Sequence, residues 1–486
     1  MRPLFGFICV LALSAAGCAE GEGNGGSGGD AGSGGDGGSG PPSEFVVGAP
    51  VTVSGATPFE GCEPPSEEPF NPGAEVEPWI VVNPTDADNM VGAWIQDPGL
   101  TSSIGTGVSF DGGATWESVV LPDSRCTGGD IDLVAGDPWL AFAANGDLYS
   151  VALLVDDFSF AVTEIHVNKS VDGGLTWGVP APLVQGPDHD KPSISADPED
   201  PCTVYVGWTH FTGGGGSELL LSRTTDCGET WSEPQSIRTG TSAPSFFQLV
   251  TMPDGTLVTF FRELPLALYS QRSIDGGETW SEPTVVTEAG LVPRAVSPDE
   301  DLTVRGSGTS FDVAVDRDSG LLAVVWQYPF EGMPLTSPIQ IAFSSSTDGG
   351  VTWADPIRID HTPSATPFTL EQAFIPSVEI SDDGTVGVTY YNFENDTAGD
   401  GISETDYWFV HCNPDSTDCN DPEGWSDGLR LTPEPFDYLL APYFLDGLFL
   451  GDYAGLSSQG SDFFALFSVT TEDDPGNVIF VPILGR

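Results

Sequence analysis

Five copies of one short pattern run through this chain, and the first copy is Ser109-Phe-Asp-Gly-Gly-Ala-Thr-Trp116. The pattern reads Ser/Thr-x-Asp-x-Gly-x-Thr-Trp, and its other copies span residues 170–177, 224–231, 273–280 and 346–353. Its Asp can hydrogen-bond the nearby backbone, its Gly permits a positive φ, and Thr-Trp begins a returning strand, so each copy predicts a tight hairpin turn. Five such turns, called the repeat turns below, predict a repeat architecture.

The composition describes an acidic, turn-rich chain of 486 residues. It has 72 Asp and Glu against 14 Lys and Arg, a formal charge of −58, which argues against nucleic acid and anionic membrane surfaces as partners. We interpret the charge as a means of solubility in a salty or calcium-containing medium, with a cation-collecting surface as the alternative. The 61 Gly, 41 Pro and 12 Trp, without long helical periodicity, indicate an all-β protein.

The N-terminus has the features of an export signal, because Arg2 precedes an apolar run over residues 4–16. Residues 14–18, Ser-Ala-Ala-Gly-Cys, resemble a bacterial lipoprotein lipobox, so we expect a signal peptide over residues 1–18 and lipidation of Cys18. Simple secretion is the alternative, since Ala15 stands where Leu is commonest. The Gly/Ser-rich residues 19–43 predict a flexible linker. The expected location is the cell envelope or surface, with the lipid anchor as the only membrane attachment.

The repeat turns resemble the Asp-box of sialidases and related β-propellers. Further motifs resemble bacterial secreted propellers classed as exo-α-sialidases, and these are Tyr390-Tyr-Asn-Phe-Glu394 with its flanks and the segments at residues 405–411 and 449–453. The resemblance covers roughly residues 45–484 and implies an all-β propeller domain over residues 44–486. Those relatives usually read Tyr-Tyr-Asp-x-Arg, so Asn392 and Glu394 replace an acid and a base here.

Apolar segments around the repeat turns predict blades of four strands each. We expect six innermost strands to begin near residues 78, 138, 192, 246, 311 and 375. A seventh blade has three strands, near residues 453–457, 463–467 and 478–482, and residues 45–54 are expected to add its fourth strand and close the ring. Seven blades are predicted, and six is the alternative in which one segment is an insertion.

The propeller arrangement also implies disulfide pairs. Cys9 and Cys18 belong to the signal region, which leaves six cysteines in an oxidising compartment. Their expected positions in the blades pair them as Cys62–Cys126, Cys202–Cys227 and Cys412–Cys419. None of them has the CxxC spacing of a zinc site, so we interpret all three pairs as structural.

Candidate site residues are expected on the loop face, defined as the end of the propeller opposite the repeat turns, where the longest loops lie. Acidic residues near the starts of innermost strands would converge near the axis there: Glu77, Asp137, Asp190, Asp312 and Asp452. Carboxylates held together need a counter-charge, which predicts a Ca²⁺ or Mg²⁺ site. The alternative is that each bonds nearby backbone N–H groups or water. No cofactor is required, and Ca²⁺ is the possible one.

Sialidases grip the substrate carboxylate with three arginines and use a Tyr nucleophile with a Glu partner. The resemblance implies Arg262, Arg294 and Arg305 as that triad and Tyr391 with Glu394 as catalytic residues, although the usual early Phe-Arg-Ile-Pro motif is absent. Countering the acidic surface is the alternative role of these arginines. Tyr391 and other aromatic side chains are expected to be exposed on the loop face. The candidate substrate-binding residues are Tyr328, Asn392, Tyr443 and Tyr453.

The sequence therefore predicts a monomeric, exported propeller that engages extracellular glycans or glycoconjugates. One alternative is an active exo-α-sialidase. The other is a protein-binding scaffold at the cell envelope.

Overall fold

The computed structural model describes residues 44–59, 61–62, 71–127, 133–156, 161–240, 244–263, 267–288, 293–308, 310–330, 338–365 and 367–486. The expected signal peptide, lipidated Cys18 and linker lie outside these residues. Within the described ranges, no helix combines the length and apolar character needed to cross a bilayer.

In the described part of the chain, seven antiparallel sheets form the blades of a propeller, and a separate two-stranded sheet lies outside them. Blade 1 has the strands Glu75–Asn83, Asp86–Gln96, Ser103–Ser109 and Glu117–Val120. Blade 2 has Val134–Phe142, Leu148–Val155, Thr163–Ser170 and Ala181–Gly186. Blade 3 has His189–Ala196, Val204–Gly213, Gly216–Thr224 and Gln235–Gly240. Blade 4 has Ser245–Thr251, Leu257–Glu263, Ala267–Ser273 and Thr284–Thr287.

The remaining blades complete the ring. Blade 5 has Phe311–Val315, Leu322–Tyr328, Gln340–Ser346 and Ile357–Arg358. Blade 6 has Ala373–Ile380, Val386–Asn392, Glu404–Cys412 and Leu429–Arg430, with Phe436–Asp437 as an extra strand on Glu404–Cys412. Blade 7 has Gly455–Gln459, Asp462–Thr471 and Asp474–Gly485, and it is completed by Phe45–Val47 and Val51–Thr52. The first strand of each blade contacts that of the next blade, and blade 7 contacts blade 1, so the innermost strands line a closed ring.

Short elements join and decorate the blades. A hairpin of Tyr443–Phe444 and Gly447–Leu448 lies between blades 6 and 7 in sequence. The helical turns of the described chain are single 3₁₀ turns: Arg125–Thr127, Phe368–Glu371, Pro422–Gly424 and Tyr438–Leu440. The protein is therefore all-β, as expected.

The N-terminal strands close the ring, as the sequence predicts. Phe45 pairs with Gly485 and Val47 with Ile483, while Val51 pairs with Phe480. Both ends of the chain thus share one sheet, which satisfies an edge that would otherwise be open.

The second strands of the blades are buried on both faces. Every residue of Leu148–Val155 and of Leu257–Glu263 is buried, because each blade packs between two neighbours. Near-continuous apolar runs replace strict alternation in such strands. By contrast, no residue of the outermost strand Ala181–Gly186 is fully buried.

The repeat turns share one hydrogen-bond pattern. In the copy at 273–280, the Thr279 amide donates to Asp275 Oδ1 (2.8 Å) and the Thr279 hydroxyl donates to Oδ2 (2.6 Å). The Gly277 amide donates to Ser273 Oγ at 2.9 Å, and the other four copies repeat these bonds. The hydrogen bonds from Thr279 lower the pKa of the exposed Asp275 to about 2. The turns are therefore structural elements.

All three expected disulfides are present. Cys62 bonds Cys126, Cys202 bonds Cys227, and Cys412 bonds Cys419. Cys227 stands where the other four repeat turns have Gly, and it adopts the same left-handed backbone with φ at 60°.

The repeat turns give a direct stability test. Ser273→Ala removes the buried hydroxyl that accepts the Gly277 amide, and we expect a loss of about 1–3 kcal/mol in the free energy of unfolding. Ile274→Ser is the matched control, because Ile274 is 78% exposed in the same turn and its replacement removes no such bond. Urea unfolding of both variants measures the difference, and equal stabilities would contradict a structural role for the hydroxyl.

Candidate functional site

Five innermost strands of the described chain share one irregularity near the loop face. Their pairing with the second strand shifts register in blades 1, 2, 3, 4 and 6. At each shift one residue has φ between 49° and 56°, and these residues are Glu77, Asp137, Lys191, Phe246 and Ile375. Such φ values are uncommon outside Gly, and clusters of them mark functional sites in many proteins. The bulges therefore direct attention to the ring of side chains that they carry.

The ammonium of Lys191 lies between carboxylates from three other blades or their connections. Its Nζ lies 2.5 Å from Asp452 Oδ2 and 3.1 Å from Asp137 Oδ1. Glu77 Oε1 lies 4.0 Å from the same Nζ atom. The carboxylate of Asp190 accepts the Lys191 amide at 2.8 Å. One cation thus links blade 3 to blades 1 and 2 and to the start of blade 7.

Arg305 is the second cation of this cluster. Its Nη2 lies 3.8 Å from Asp452 Oδ2, and its guanidinium lies over the ring of Phe449 at 4.0 Å. The Asp452 amide donates to Glu77 Oε1 at 3.2 Å, and the Glu77 amide donates to the Leu450 carbonyl at 3.1 Å. We call Glu77, Asp137, Asp190, Lys191, Arg305 and Asp452 the channel cluster.

Burial separates the protonation states of the channel cluster. It raises the pKa of Glu77 well above the usual range, and the charge of Asp137 raises it further. Burial and the same Asp137 charge raise the pKa of Asp190 to about 7. Burial alone would also raise the pKa of Asp452, but Lys191 and Arg305 hold it below the usual range. The cluster therefore combines the Asp452 ion pairs with two carboxyl groups, Glu77 and Asp190, whose pKa values burial raises.

Two cavities meet at Asp137 and Lys191, which line both of them. The first has a volume of about 50 Å³, and its aromatic walls are Trp139, Phe246, Phe247, Phe311 and Tyr453. The second has a volume of about 100 Å³, and Glu77, Asp190, Arg305, Phe444, Leu445 and Phe449 are among its walls. The cavities bring charged groups and aromatic rings together at the loop face, which is typical of ligand sites.

The structure brings together four of the five candidate metal ligands and separates the fifth. Glu77, Asp137, Asp190 and Asp452 lie in the channel cluster, with an ammonium between them. Asp312 instead accepts hydrogen bonds from the Ser377 hydroxyl and the Val378 amide, at 2.7 and 2.8 Å. Across the described ranges, no three His, Cys, Asp or Glu side chains are spaced to hold a metal ion. The expected cation site stays a prediction.

The three candidate arginines have different surroundings. Arg262 is 1% exposed, its guanidinium lies 5.9 Å from the ring centre of Phe311, and burial lowers its pKa to about 10. Arg294 pairs with Asp446 at 2.7 Å on the exposed hairpin. Arg305 alone of the three lies in the channel cluster. The contacts described for the three side chains therefore differ, and the arginine triad stays a prediction.

The expected exposure of Tyr391 is wrong. Tyr391 is 1% exposed, and its hydroxyl donates to the Ser468 carbonyl at 2.9 Å, so it packs between blades 6 and 7. Its position in a second strand explains this burial. Glu394 Oε2 accepts a hydrogen bond from Asn392 Nδ2 at 3.0 Å, and burial raises the pKa of Glu394. Asn392 also donates to Thr362 Oγ1 at 3.2 Å, which fixes its side chain inside blade 6.

The other tyrosines among the substrate-binding candidates have different positions relative to the two cavities. Tyr453 is buried, lines the first cavity and donates its hydroxyl proton to the Pro138 carbonyl at 3.0 Å. Tyr443 is 57% exposed at the start of the hairpin whose next residues, Phe444 and Leu445, line the second cavity. Tyr328 packs edge-on against Phe330, with ring centres 4.8 Å apart.

Sequence reasoning missed Lys191, the residue at the centre of the cluster. Its signal was a position directly before a proline at the start of an innermost strand. Lys191-Pro192 repeats the placement of Glu77-Pro78 and Asp137-Pro138. An alignment on that proline places Lys191, rather than Asp190, in register with the other two.

Comparisons with known proteins give partial matches. No family model matches the chain. A curated sialidase of Bacteroides fragilis (strain YCH46) is 29% identical over a stretch that covers 20% of this chain and 23% of that protein. The chain thus matches less than a quarter of the length of that relative.

Two solved structures are similar at low sequence identity. The Hadza microbial sialidase Hz136 has a TM-score of 0.46 and 17% identity, covering 66% of this chain and 64% of that one. The GH93 α-L-arabinofuranosidase of Fusarium graminearum, in complex with arabinobiose, has a TM-score of 0.48 and 13% identity, covering 90% and 98%. All three proteins bear the names of glycan-processing enzymes. The seven blades define the described part of the chain as a β-propeller, and one stretch of the chain is similar in sequence to a sialidase.

Removal of the Lys191 ammonium tests its role in the cluster. Lys191→Met leaves buried carboxylates without their counter-charge, and we expect a loss of about 3–5 kcal/mol in the free energy of unfolding at pH 7. The loss should shrink as the pH falls toward 4, because protonation of the unpaired carboxyl groups removes their repulsion. In the unaltered protein the ion pair between Lys191 and Asp452 requires both side chains to be charged. Since the pKa of Asp452 is lowered and that of Lys191 raised, the pair persists from about pH 4 to above pH 10.

The chain offers a matched control, because Lys169 is its other lysine. Lys169 pairs with Asp147 at 2.8 Å outside the channel cluster, and Lys169→Met should cost about 1 kcal/mol or less. Thermal and urea unfolding at pH 4 and pH 7 measure both variants. Equal losses in the two variants would contradict the central role of Lys191. Chelator and Ca²⁺ additions test the predicted cation site in the same assay, since a midpoint that chelator lowers and Ca²⁺ restores would support it.

Proposed function

We propose that the protein is exported, attached to the cell envelope by lipid at Cys18, and binds extracellular glycans or glycoconjugates on its loop face. The site of binding is the pair of cavities that meet at Asp137 and Lys191. The chain acts as a single propeller and needs no cofactor for binding.

One observation carries this proposal: buried polar groups of the channel cluster face cavities with aromatic walls. Sugars present hydroxyl groups on their edges and apolar C–H groups on their ring faces. Charged side chains bind the former, and rings such as Trp139, Phe246 and Tyr453 bind the latter. The exposed Tyr443 at the rim extends this surface outward.

A glycoside hydrolase is the second candidate function, and the state of Glu77 favours it. Burial raises the pKa of Glu77, which is the direction required of a group that protonates a leaving oxygen, and Lys191 and Arg305 lower the pKa of the neighbouring Asp452, which favours its negative charge. The curated relative is named a sialidase, so sialosides are the first substrates to test. Hydrolysis of a fluorogenic sialoside that Arg305→Ala abolishes would support this function, and absence of turnover would contradict it.

The binding proposal predicts that replacing Tyr443 weakens glycan binding and that replacing Phe110 does not. We expect the unaltered protein to bind a defined set of ligands on a glycan array. Tyr443→Ala should weaken binding of those ligands about fivefold, because it removes one stacking surface worth about 1 kcal/mol. Phe110→Ala is the control, since Phe110 is 47% exposed in a repeat turn at the opposite face. Partners captured from the envelope without any array signal would favour the scaffold alternative, and equal effects of the two variants would contradict binding at the loop face.

A further inference from the structure

We propose that the channel cluster selects an uncharged sugar residue and discriminates against anionic sugars such as sialic acids and uronic acids. This inference rests on the proposed glycan-binding function and specifies its ligand class. It is drawn from the unsatisfied atoms, the charges and the size of the cavities.

The atoms of the cluster that lack hydrogen-bond partners would be satisfied by a ligand that has both donors and acceptors. Glu77 Oε2 and Asp137 Oδ2 are buried and have no hydrogen-bond partner among the described residues, although their residues are only 1% and 7% exposed. Arg305 Nη1 is likewise buried without a hydrogen-bond partner. Asp137 Oδ2 accepts hydrogen bonds, Arg305 Nη1 donates one, and Glu77 Oε2 accepts or donates according to whether it carries a proton. Leaving such groups unpaired is costly, so a ligand that satisfies them gains affinity.

A hydroxyl group is the ligand chemistry that fits all three atoms. It donates to a carboxyl oxygen and accepts from a guanidinium nitrogen, whereas a carboxylate ligand only accepts and an ammonium ligand only donates. A carboxylate on the ligand could pair with Arg305 Nη1 but would leave the acceptor Asp137 Oδ2 unsatisfied. A sugar edge with adjacent hydroxyl groups satisfies both kinds of atom.

The charges of the cluster also favour an uncharged ligand over an anionic one. Both cations are already engaged, since Lys191 contacts three carboxylates and Arg305 shares Asp452 with it. Four carboxyl groups stand against two cations in the cluster. An anionic ligand would therefore approach Asp137 and Asp452 in surroundings where water screens poorly, and like charges repel strongly there.

The size and walls of the cavities suit the edge of a sugar residue. One water molecule needs roughly 10–15 Å³ of such volume, so cavities of about 50 and 100 Å³ admit groups larger than a single water. The hydroxyl-bearing edge of a sugar residue is a group of that kind. The ring face of that residue would lie against aromatic walls such as Trp139 and Phe246.

Matched pairs of oligosaccharides test the inference. Each neutral oligosaccharide is compared with the same chain carrying a terminal sialic or uronic acid, in calorimetric titrations of the full chain. We expect at least one neutral member to bind about tenfold or more tightly than its acidic partner, as one well-placed buried hydrogen bond provides. Tighter binding of acidic members would overturn the selectivity and leave glycan binding intact. Binding of neither member of any pair would overturn both proposals.

Substitutions within the cluster locate the discrimination. Asp137→Asn keeps the size of the side chain but removes its charge, and it should reduce the preference for the neutral member about tenfold. Glu77→Gln serves the same purpose if Asp137→Asn does not fold, with thermal unfolding as the check. Asp446→Asn is the charge-matched control, because Asp446 pairs with Arg294 on the exposed hairpin. An unchanged preference in both cluster variants would overturn the assignment to these carboxyl groups.

Discussion

The contact between the Lys191 ammonium and carboxylates of other blades is the interaction on which the candidate site depends. Asp137 and Asp452 reach the same nitrogen from the second blade and from the segment that enters the seventh. A propeller brings such groups together because the innermost strands of all blades begin around one axis. Acidic side chains at those positions would repel each other without a cation, and the chain places one of its two lysines there.

Much of the fold follows from local chemistry in the sequence. A repeat turn needs only a few neighbouring side chains, so its five copies indicate where blades lie and which cysteines face each other. The closing strand was predictable too, because residues 45–54 resemble the strands that follow repeat turns. The pairing of Val51 with Phe480 confirms that ring closure.

The site was predicted less well, because its geometry depends on bulges and on packing between blades. A bulge in the first strand of blade 3 lies where Lys191 contacts Asp137 and Asp452, and periodicity alone does not reveal it. Packing between blades likewise decides the surroundings of Tyr391 and Arg262. Both lie in second strands, which neighbouring blades cover on each face, so polar side chains that suggested a catalytic surface are buried instead.

The two ends of the propeller differ in how their buried polar groups are satisfied. The repeat-turn end contains self-satisfied hydrogen bonds, since Asp275 and Ser273 find their partners within the same turn. The loop face differs, because Glu77 Oε2, Asp137 Oδ2 and Arg305 Nη1 have no hydrogen-bond partner among the described residues. A resemblance based on the turns reports the scaffold, whereas the proposed ligand chemistry rests on those unsatisfied atoms. Because hydroxyl groups both donate and accept, the proposed ligand class differs from the sialic acids that the resemblance alone would suggest.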